Sequence, residues 1–182
     1  MIQLETERLV LRDLSIKDNE VIHQLLSNPE TNEFSTLEVP KNVTATKKIV
    51  SQWIEEQEKT DRTSHIFAII NQETNEFIGL ISIQLNQSKF NAGEIWYKLH
   101  PYFWKEGYAT ESVNAILNFG FHTLNLHRIE SKCAINNTDS IKVLKKSGFV
   151  QEGCKRKALP LKMGWTDCYF FGILDEDFKK KF

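Results

Sequence analysis

The chain has 182 residues, 41% hydrophobic and 26% charged, which suits one globular domain able to bury a sizeable core. Its 23 Lys and Arg nearly balance 24 Asp and Glu for a net charge of -1, so no overall field draws it to nucleic acid or to a membrane surface. Cys133, Cys154 and Cys168 form an odd set without C-x-x-C spacing, which argues against a disulfide framework or a zinc site and fits a reducing compartment. Residues 1–12 alternate apolar and charged side chains, unlike a signal peptide, and no apolar run approaches the ~20 residues of a membrane helix. The expectation is one cytoplasmic domain spanning 1–182.

Leu4 to Arg12 reads as the first strand. Ser15-Ile-Lys-Asp18 has capping-box spacing, and Val21, Ile22, Leu25 and Leu26 form an apolar stripe after it. A second helix is predicted from Thr44 to Lys59, with Ile49, Val50, Trp53 and Ile54 on one face. Strands His65–Ile70 and Phe77–Gln84 flank a polar turn, and Gly93–Leu99 is a third. From about Thr110 a helix lines up Val113, Ile116, Leu117, Phe121 and Leu124. Arg128–Ile135 is a strand, and Ser140–Ser147 a short helix stopped by Gly148. Strands near Gln151–Leu159 and Thr166–Leu174, with a loop around Met163-Gly164, close the chain.

The order β-α-α-β-β-β-α-β-α-β-β combines hairpins with one strand–helix–strand crossover over residues 93–135. It predicts an α/β fold with a mixed, mostly antiparallel sheet, one parallel strand pair and helices on both faces.

Two segments carry the chemistry. In His100-Pro-Tyr-Phe-Trp-Lys-Glu-Gly-Tyr-Ala-Thr-Glu111 a strand runs through a turn into a helix N-terminus. Free N–H groups and the positive dipole end there suit a phosphate. Gly107 permits close backbone approach and Ala109 is small, so the amides of Lys105, Glu106, Gly107, Tyr108, Ala109 and Thr110 would point at it. Alone, Gly107-Tyr-Ala109 also reads as an ordinary helix start. The second segment is Asn137-Thr-Asp-Ser-Ile-Lys-Val-Leu-Lys-Lys-Ser-Gly-Phe149, one strand further on, where Asn137 or Thr138 also reads as a plain helix cap.

Together the two segments and the element order resemble the acetyl-CoA site of the GNAT acetyltransferases, especially the branch acetylating ribosomal-protein N-termini at alanine or serine. Trp104 to Ala109 aligns with the family pattern Q/R-x-x-G-x-G/A, with Trp104 in place of Gln or Arg and Lys105 where the branch often has Gly. Asn137 to Phe149 resembles N-x-x-S-x-x-x-L-x-K-x-G-F. The resemblance implies a splayed strand over Glu94–His100, with backbone groups of Tyr97, Lys98 and Leu99 holding the pantetheine arm and polarising the acetyl carbonyl. It implies that Asn137 bonds the pantetheine region and that Ser140 lies near the departing sulfur.

The reaction implied is direct attack of a neutral amine on the thioester in a ternary complex, with acetyl-CoA as co-substrate and no metal. An α-amino group, pKa ~8, needs less help than a lysine at ~10.4. Ser140 is the candidate acid and Glu94 the candidate base, although Glu94 reads equally well as a solvated strand residue. The acceptor stays open between a ribosomal-protein N-terminus and a small amine such as a polyamine, an aminoglycoside or an amino acid. A catalytically silent acyl-CoA-binding module is the other reading, and self-association stays open as well.

The remaining chemistry-bearing residues read as structural. His65, His100, His122 and His127 lack metal-ligand spacing. Cys133 reads as core, Trp53, Trp96 and Trp165 as packing residues, and Glu30, Glu33 and Glu38 as a solvated acidic loop where GNAT enzymes receive the acceptor.

Overall fold

A computed structural model describes residues 2–179. The strands are β1 (Gln3–Glu5), β2 (Leu9–Asp13), β3 (Ser64–Asn71), β4 (Phe77–Leu85), β5 (Ala92–Leu99), β6 (Arg128–Ala134), β7 (Val150–Leu161) and β8 (Gly164–Leu174). The helices are α1 (Asn19–Ser27), α2 (Val43–Gln57), α3 (Tyr108–Asn118), α4 (Thr138–Lys146) and α5 (Asp175–Lys179). One eight-stranded sheet runs in the order β1-β2-β3-β4-β5-β6-β8-β7. Every pairing is antiparallel except β5 with β6. This is the mixed α/β architecture expected from the element order.

Strand alternation divides the apolar side chains between two cores. Phe67, Ile69, Ile81, Ile83, Ile95 and Leu99 face α3 and α4 in the larger one. Ile66, Ala68, Ile70 and Leu80 face α1 and α2 in the other. With both faces covered, β3 and β4 are nearly continuous apolar runs rather than alternating ones. Each fully buried Leu, Ile or Phe contributes on the order of 2 kcal/mol.

Some expectations needed correction. The strand read from Leu4 to Arg12 is a hairpin of β1 and β2. Thr6 turns the chain by donating its N–H to Leu9 O (2.9 Å) and accepting Leu9 N–H on Oγ1 (2.9 Å). Val113, Ile116, Leu117 and Phe121 share the larger core with Leu124 packed against it, as the stripe predicts, but α3 ends at Asn118 and a π-helical turn at Phe119–Thr123 carries the last part. The short α5 follows β8 without a sequence signal, because five residues are too few to show a helical period. Trp165 is not a packing residue: it is 65% exposed at the start of β8, beside the turn from β7. Trp53 and Trp96 do pack, with ring centroids 6.4 Å apart.

The capping box is present. Ser15 Oγ accepts Lys17 N–H at 3.3 Å, and Asp18 Oδ2 accepts Ser15 N–H at 2.8 Å. At the end of α4, Gly148 adopts φ 97°, and Gly148 and Phe149 donate their N–H groups to Lys145 O and Leu144 O.

Candidate active site

The parallel strands β5 and β6 are in register only at Ala92, Gly93 and Glu94, opposite Arg128, Ile129 and Glu130. Beyond that point β6 pairs with β8 alone, and β5 with β4 alone. Ser131 Oγ bridges the start of the divergence by donating to Ile95 O at 3.2 Å. A gap in the sheet opens after it.

Which groups of β5 face this gap follows from the antiparallel alternation. Asn86 N–H donates to Ala92 O, and His100 N–H donates to Ile78 O, at the two ends of the β4–β5 ladder. Both ends therefore commit the backbone of Glu94, Trp96 and Lys98 to β4. The N–H and C=O of Tyr97 and the N–H of Leu99 point into the gap. Leu99 O is taken by Trp104 Nε1–H at 2.8 Å. Lys98, grouped with Tyr97 and Leu99 on sequence grounds, thus turns its backbone away from the gap.

That indole bond folds the chain back so that α3 starts beside the end of β5. Lys105 (φ 68°) and Gly107 (φ 85°) are both left-handed, and α3 begins at Tyr108. A β-carbon at Gly107 would be strained at this φ and would lie 3.3 Å from Arg8. No side chain caps α3 at Gly107. Among the described residues, the N–H groups of Lys105, Glu106, Gly107, Tyr108, Ala109 and Thr110 have no protein acceptor. Successive free donors around a left-handed turn at a helix N-terminus make an anion cradle.

Residues from the first hairpin brace this turn, a role no sequence motif signalled. Arg8 donates through Nη1 to Glu106 O (3.1 Å) and through Nε to Glu111 Oε2 (2.8 Å), and its guanidinium lies 4.5 Å from the Tyr108 ring centroid. Glu111 also accepts Thr6 Oγ1–H at 2.6 Å and Arg8 N–H at 2.9 Å. Burial opposes ionisation of Glu111, but the hydrogen bonds from Thr6 and Arg8 outweigh it and hold the carboxyl below its usual range.

On the α3/α4 side of the gap, Tyr97 Oη and Ser140 Oγ are 2.8 Å apart. Ser140 is in the first turn of α4, where its N–H donates to Asn137 Oδ1 at 3.1 Å. Asn137 is therefore the helix cap, with its amide nitrogen left without a protein partner among the described residues. Burial raises the Tyr97 pKa, so the phenol keeps its proton. Cys133 is buried, and burial pushes its thiol up to about 12, which leaves it a poor nucleophile. The sequence signals Tyr97 only through its backbone; alternation sets its ring on the face of β5 opposite Glu94, and the tertiary fold brings that face to α4.

Glu94 is not brought together with Ser140. It lies on the opposite face of β5 from Tyr97, at the paired end, and its Oε1 is 2.7 Å from Lys132 Nζ. Lys98 shares that face and reaches Asn32 and Ser35 in the segment between α1 and α2. Glu30, Glu33 and Glu38 lie exposed in the same segment.

A model of the acetyltransferase (GNAT) domain matches residues 8–150. The chain is 33% identical over 175 residues to the uncharacterized N-acetyltransferase p20 of Bacillus licheniformis, covering 96% of this chain and 97% of the relative. The chain belongs to the GNAT acetyltransferase family. A GNAT-family acetyltransferase structure from Bacillus anthracis superposes with a TM-score of 0.81 at 28% identity, over 96% of this chain and 99% of that one. Two further relatives have named acceptors. A ribosomal-protein-serine acetyltransferase of Escherichia coli (strain K12) is 25% identical, with 68% of this chain and 75% of the relative covered. A spermidine N(1)-acetyltransferase of Vibrio cholerae is 26% identical, with 80% and 81% covered.

As a GNAT enzyme the chain is an acyl-CoA-dependent N-acetyltransferase. Its residues fit that co-substrate on two observations of the fold: the free amides around Gly107, suited to a pyrophosphate, and the free donors of Tyr97 and Leu99 in the gap, suited to an amide-bearing arm.

Proposed function

We propose that this GNAT enzyme transfers the acetyl group of acetyl-CoA to the α-amino group of a protein N-terminus, with a ribosomal protein as the first acceptor to test. The observation that carries the chemistry is the Tyr97–Ser140 hydroxyl pair beside the free N–H groups of Tyr97 and Leu99. The amides of Lys105 to Thr110 hold the pyrophosphate, and the Asn137 amide and the Tyr97 backbone hold the pantetheine arm. The gap-facing N–H groups stabilise negative charge on the acetyl oxygen. Ser140 donates its proton to the departing sulfur and recovers one through Tyr97, whose own proton is restored from water, so that no phenolate is left behind. Glu94, on the face away from Ser140, takes the proton released by the amine after parting from Lys132. An α-amine with pKa ~8 is already partly neutral, which lightens this last task.

A second acceptor class is favoured by one observation. Exposed Glu30, Glu33 and Glu38 make an acidic rim on the segment between α1 and α2, which attracts cations, and one relative is a spermidine acetyltransferase. Among the described residues no helix is long and apolar enough to cross a membrane. A cytoplasmic setting, where acetyl-CoA and nascent N-termini meet, belongs to the same proposal.

Thiol release from acetyl-CoA, followed with N-terminal peptides beginning in Ala or Ser and with spermidine, tests the reading. Turnover with peptides supports it. Turnover with spermidine alone replaces it with the small-amine reading, and CoA binding without thiol release for any amine would sink the enzymatic proposal.

A further inference from the structure

Lys98 is only 8% exposed, yet its ammonium has no carboxylate partner among the described residues. Nζ donates to Asn32 Oδ1 at 2.6 Å and to Ser35 Oγ at 3.2 Å. The Asn32 oxygen is fixed in that direction, because its amide nitrogen donates to Leu26 O (2.7 Å) and Asn28 O (2.8 Å). Both acceptors of the lysine are neutral, and one of its three N–H donors has no partner among the described residues. The fold treats another buried cation differently: Arg62 lies against Asp13, with Nη1 3.2 Å from Oδ1. An ammonium removed from water without a counter-charge is costly to keep, and groups of this kind gather at functional sites. Burial lowers its pKa to about 8, so it is still mostly cationic at neutral pH.

Its position gives this cost a use. Lys98 stands between Tyr97 and Leu99, whose donors open on the gap, and its side chain leaves β5 on the α1/α2 face. We propose that Lys98 selects the acceptor: its spare N–H donates to the carbonyl or carboxylate oxygen next to the reacting amine, so an α-amino acyl group is accepted and a polyamine is refused. This rests on the proposed transfer at the gap and deepens it by naming the acceptor class. The same charge disfavours a second ammonium nearby and keeps the reacting amine in its neutral, nucleophilic form. At a buried site this repulsion is strong, whereas the exposed rim of Glu30, Glu33 and Glu38 is screened by water and salt.

The test compares kcat/KM for an Ala- or Ser-initiated tripeptide amide, free alanine and spermidine in wild type, Lys98→Met and Ser35→Asp. Met fills a similar volume without charge, and Asp at position 35 places a counter-charge beside an intact lysine. Lys98→Met should lower kcat/KM for the peptide at least tenfold, mainly through KM, with spermidine unchanged or improved. Ser35→Asp should shift the ratio in the same direction, and CoA affinity and Tm should stay at wild-type values. An unchanged peptide-to-spermidine ratio in both variants overturns the inference, as does an equal loss for all acceptors together with a lower Tm. Wild type that acetylates alanine but not the peptide, with the alanine-to-spermidine ratio lowered in the variants, overturns the protein N-terminus and keeps the role of Lys98. Wild type that acetylates the peptide, with no shift in the variants, does the reverse.

Discussion

Tyr97 and Ser140 meet hydroxyl to hydroxyl at 2.8 Å although 43 residues separate them in the chain. The contact ties β5 to the first turn of α4 across the gap in the sheet. Burial disfavours a Tyr97 phenolate, so in the proposed reaction Tyr97 passes a proton to Ser140 only as water restores its own. Tyr97→Phe should reduce kcat about tenfold to a hundredfold, the usual span for losing one proton-transfer partner, with CoA affinity within about twofold of wild type. Ser140→Ala should behave in the same way, and the double variant should be no worse than the poorer single one. Steady-state kinetics with direct CoA titration checks this, and full turnover in either single variant removes the pair from the mechanism.

The left-handed turn at Gly107 yields a prediction that separates binding from folding. Gly107→Ala should cost about 1–2 kcal/mol of stability through its positive φ alone. It should also weaken CoA at least tenfold as the turn shifts. Lys105→Gly, at the neighbouring left-handed position, should leave CoA binding intact and Tm equal or higher. Calorimetric titration and thermal unfolding of the two variants together read out both effects.

Glu111 links acid stability to the cradle. Its folded pKa is below the usual value, so its contribution is complete above about pH 4.3 and is lost as pH falls through the folded value. Glu111→Gln should therefore be less stable than wild type at pH 7, with the difference shrinking on acidification. Denaturant midpoints at pH 7 and pH 3.5 measure this. CoA affinity should fall in the same variant, because Arg8 would lose the carboxylate that holds it against Glu106 O.

His65 governs the milder acid range. It is 4% exposed, its Nδ1 has no hydrogen-bond partner among the described residues, and burial, reinforced by nearby Arg62, lowers its pKa to about 4. The unfolded imidazole takes a proton near pH 6.5, so stability is full above that value and declines as pH falls toward 4. Between pH 7.5 and pH 5 the loss should be about 2 kcal/mol. His65→Leu should show a smaller loss over this interval, whatever its stability at pH 7.5. Urea unfolding at several pH values reads the slope.

Glu94→Gln addresses the base. Its ion pair with Lys132 is on the surface, so stability should change by less than about 1 kcal/mol. If Glu94 takes the proton of the amine, kcat/KM should fall at least tenfold near neutral pH and recover as alkaline pH deprotonates the amine. An unchanged pH profile would leave the task to water.

Local patterns carried much of this protein in its linear order. Periodicity located α1 to α4 and the strands, Ser15 and Asp18 announced their capping box, and Gly107 with Ala109 marked the start of α3, because each depends on residues within a few positions of one another. The paired spacing of Trp104–Ala109 and Asn137–Phe149 carried the family resemblance for the same reason. The turn at Thr6 has no local signature, because its hydrogen bonds interrupt an otherwise regular alternation. The choice between gap and ladder for Tyr97, Lys98 and Leu99 depended on the register with β4, which adds a second chain segment to the problem. Only tertiary structure set Tyr97 against Ser140, Arg8 and Glu111 around the turn, Glu94 on the face away from Ser140, and Lys98 beneath Asn32 and Ser35. Those contacts join residues tens of positions apart, and sheet order, register and the divergence of β5 from β6 decide which side chains meet.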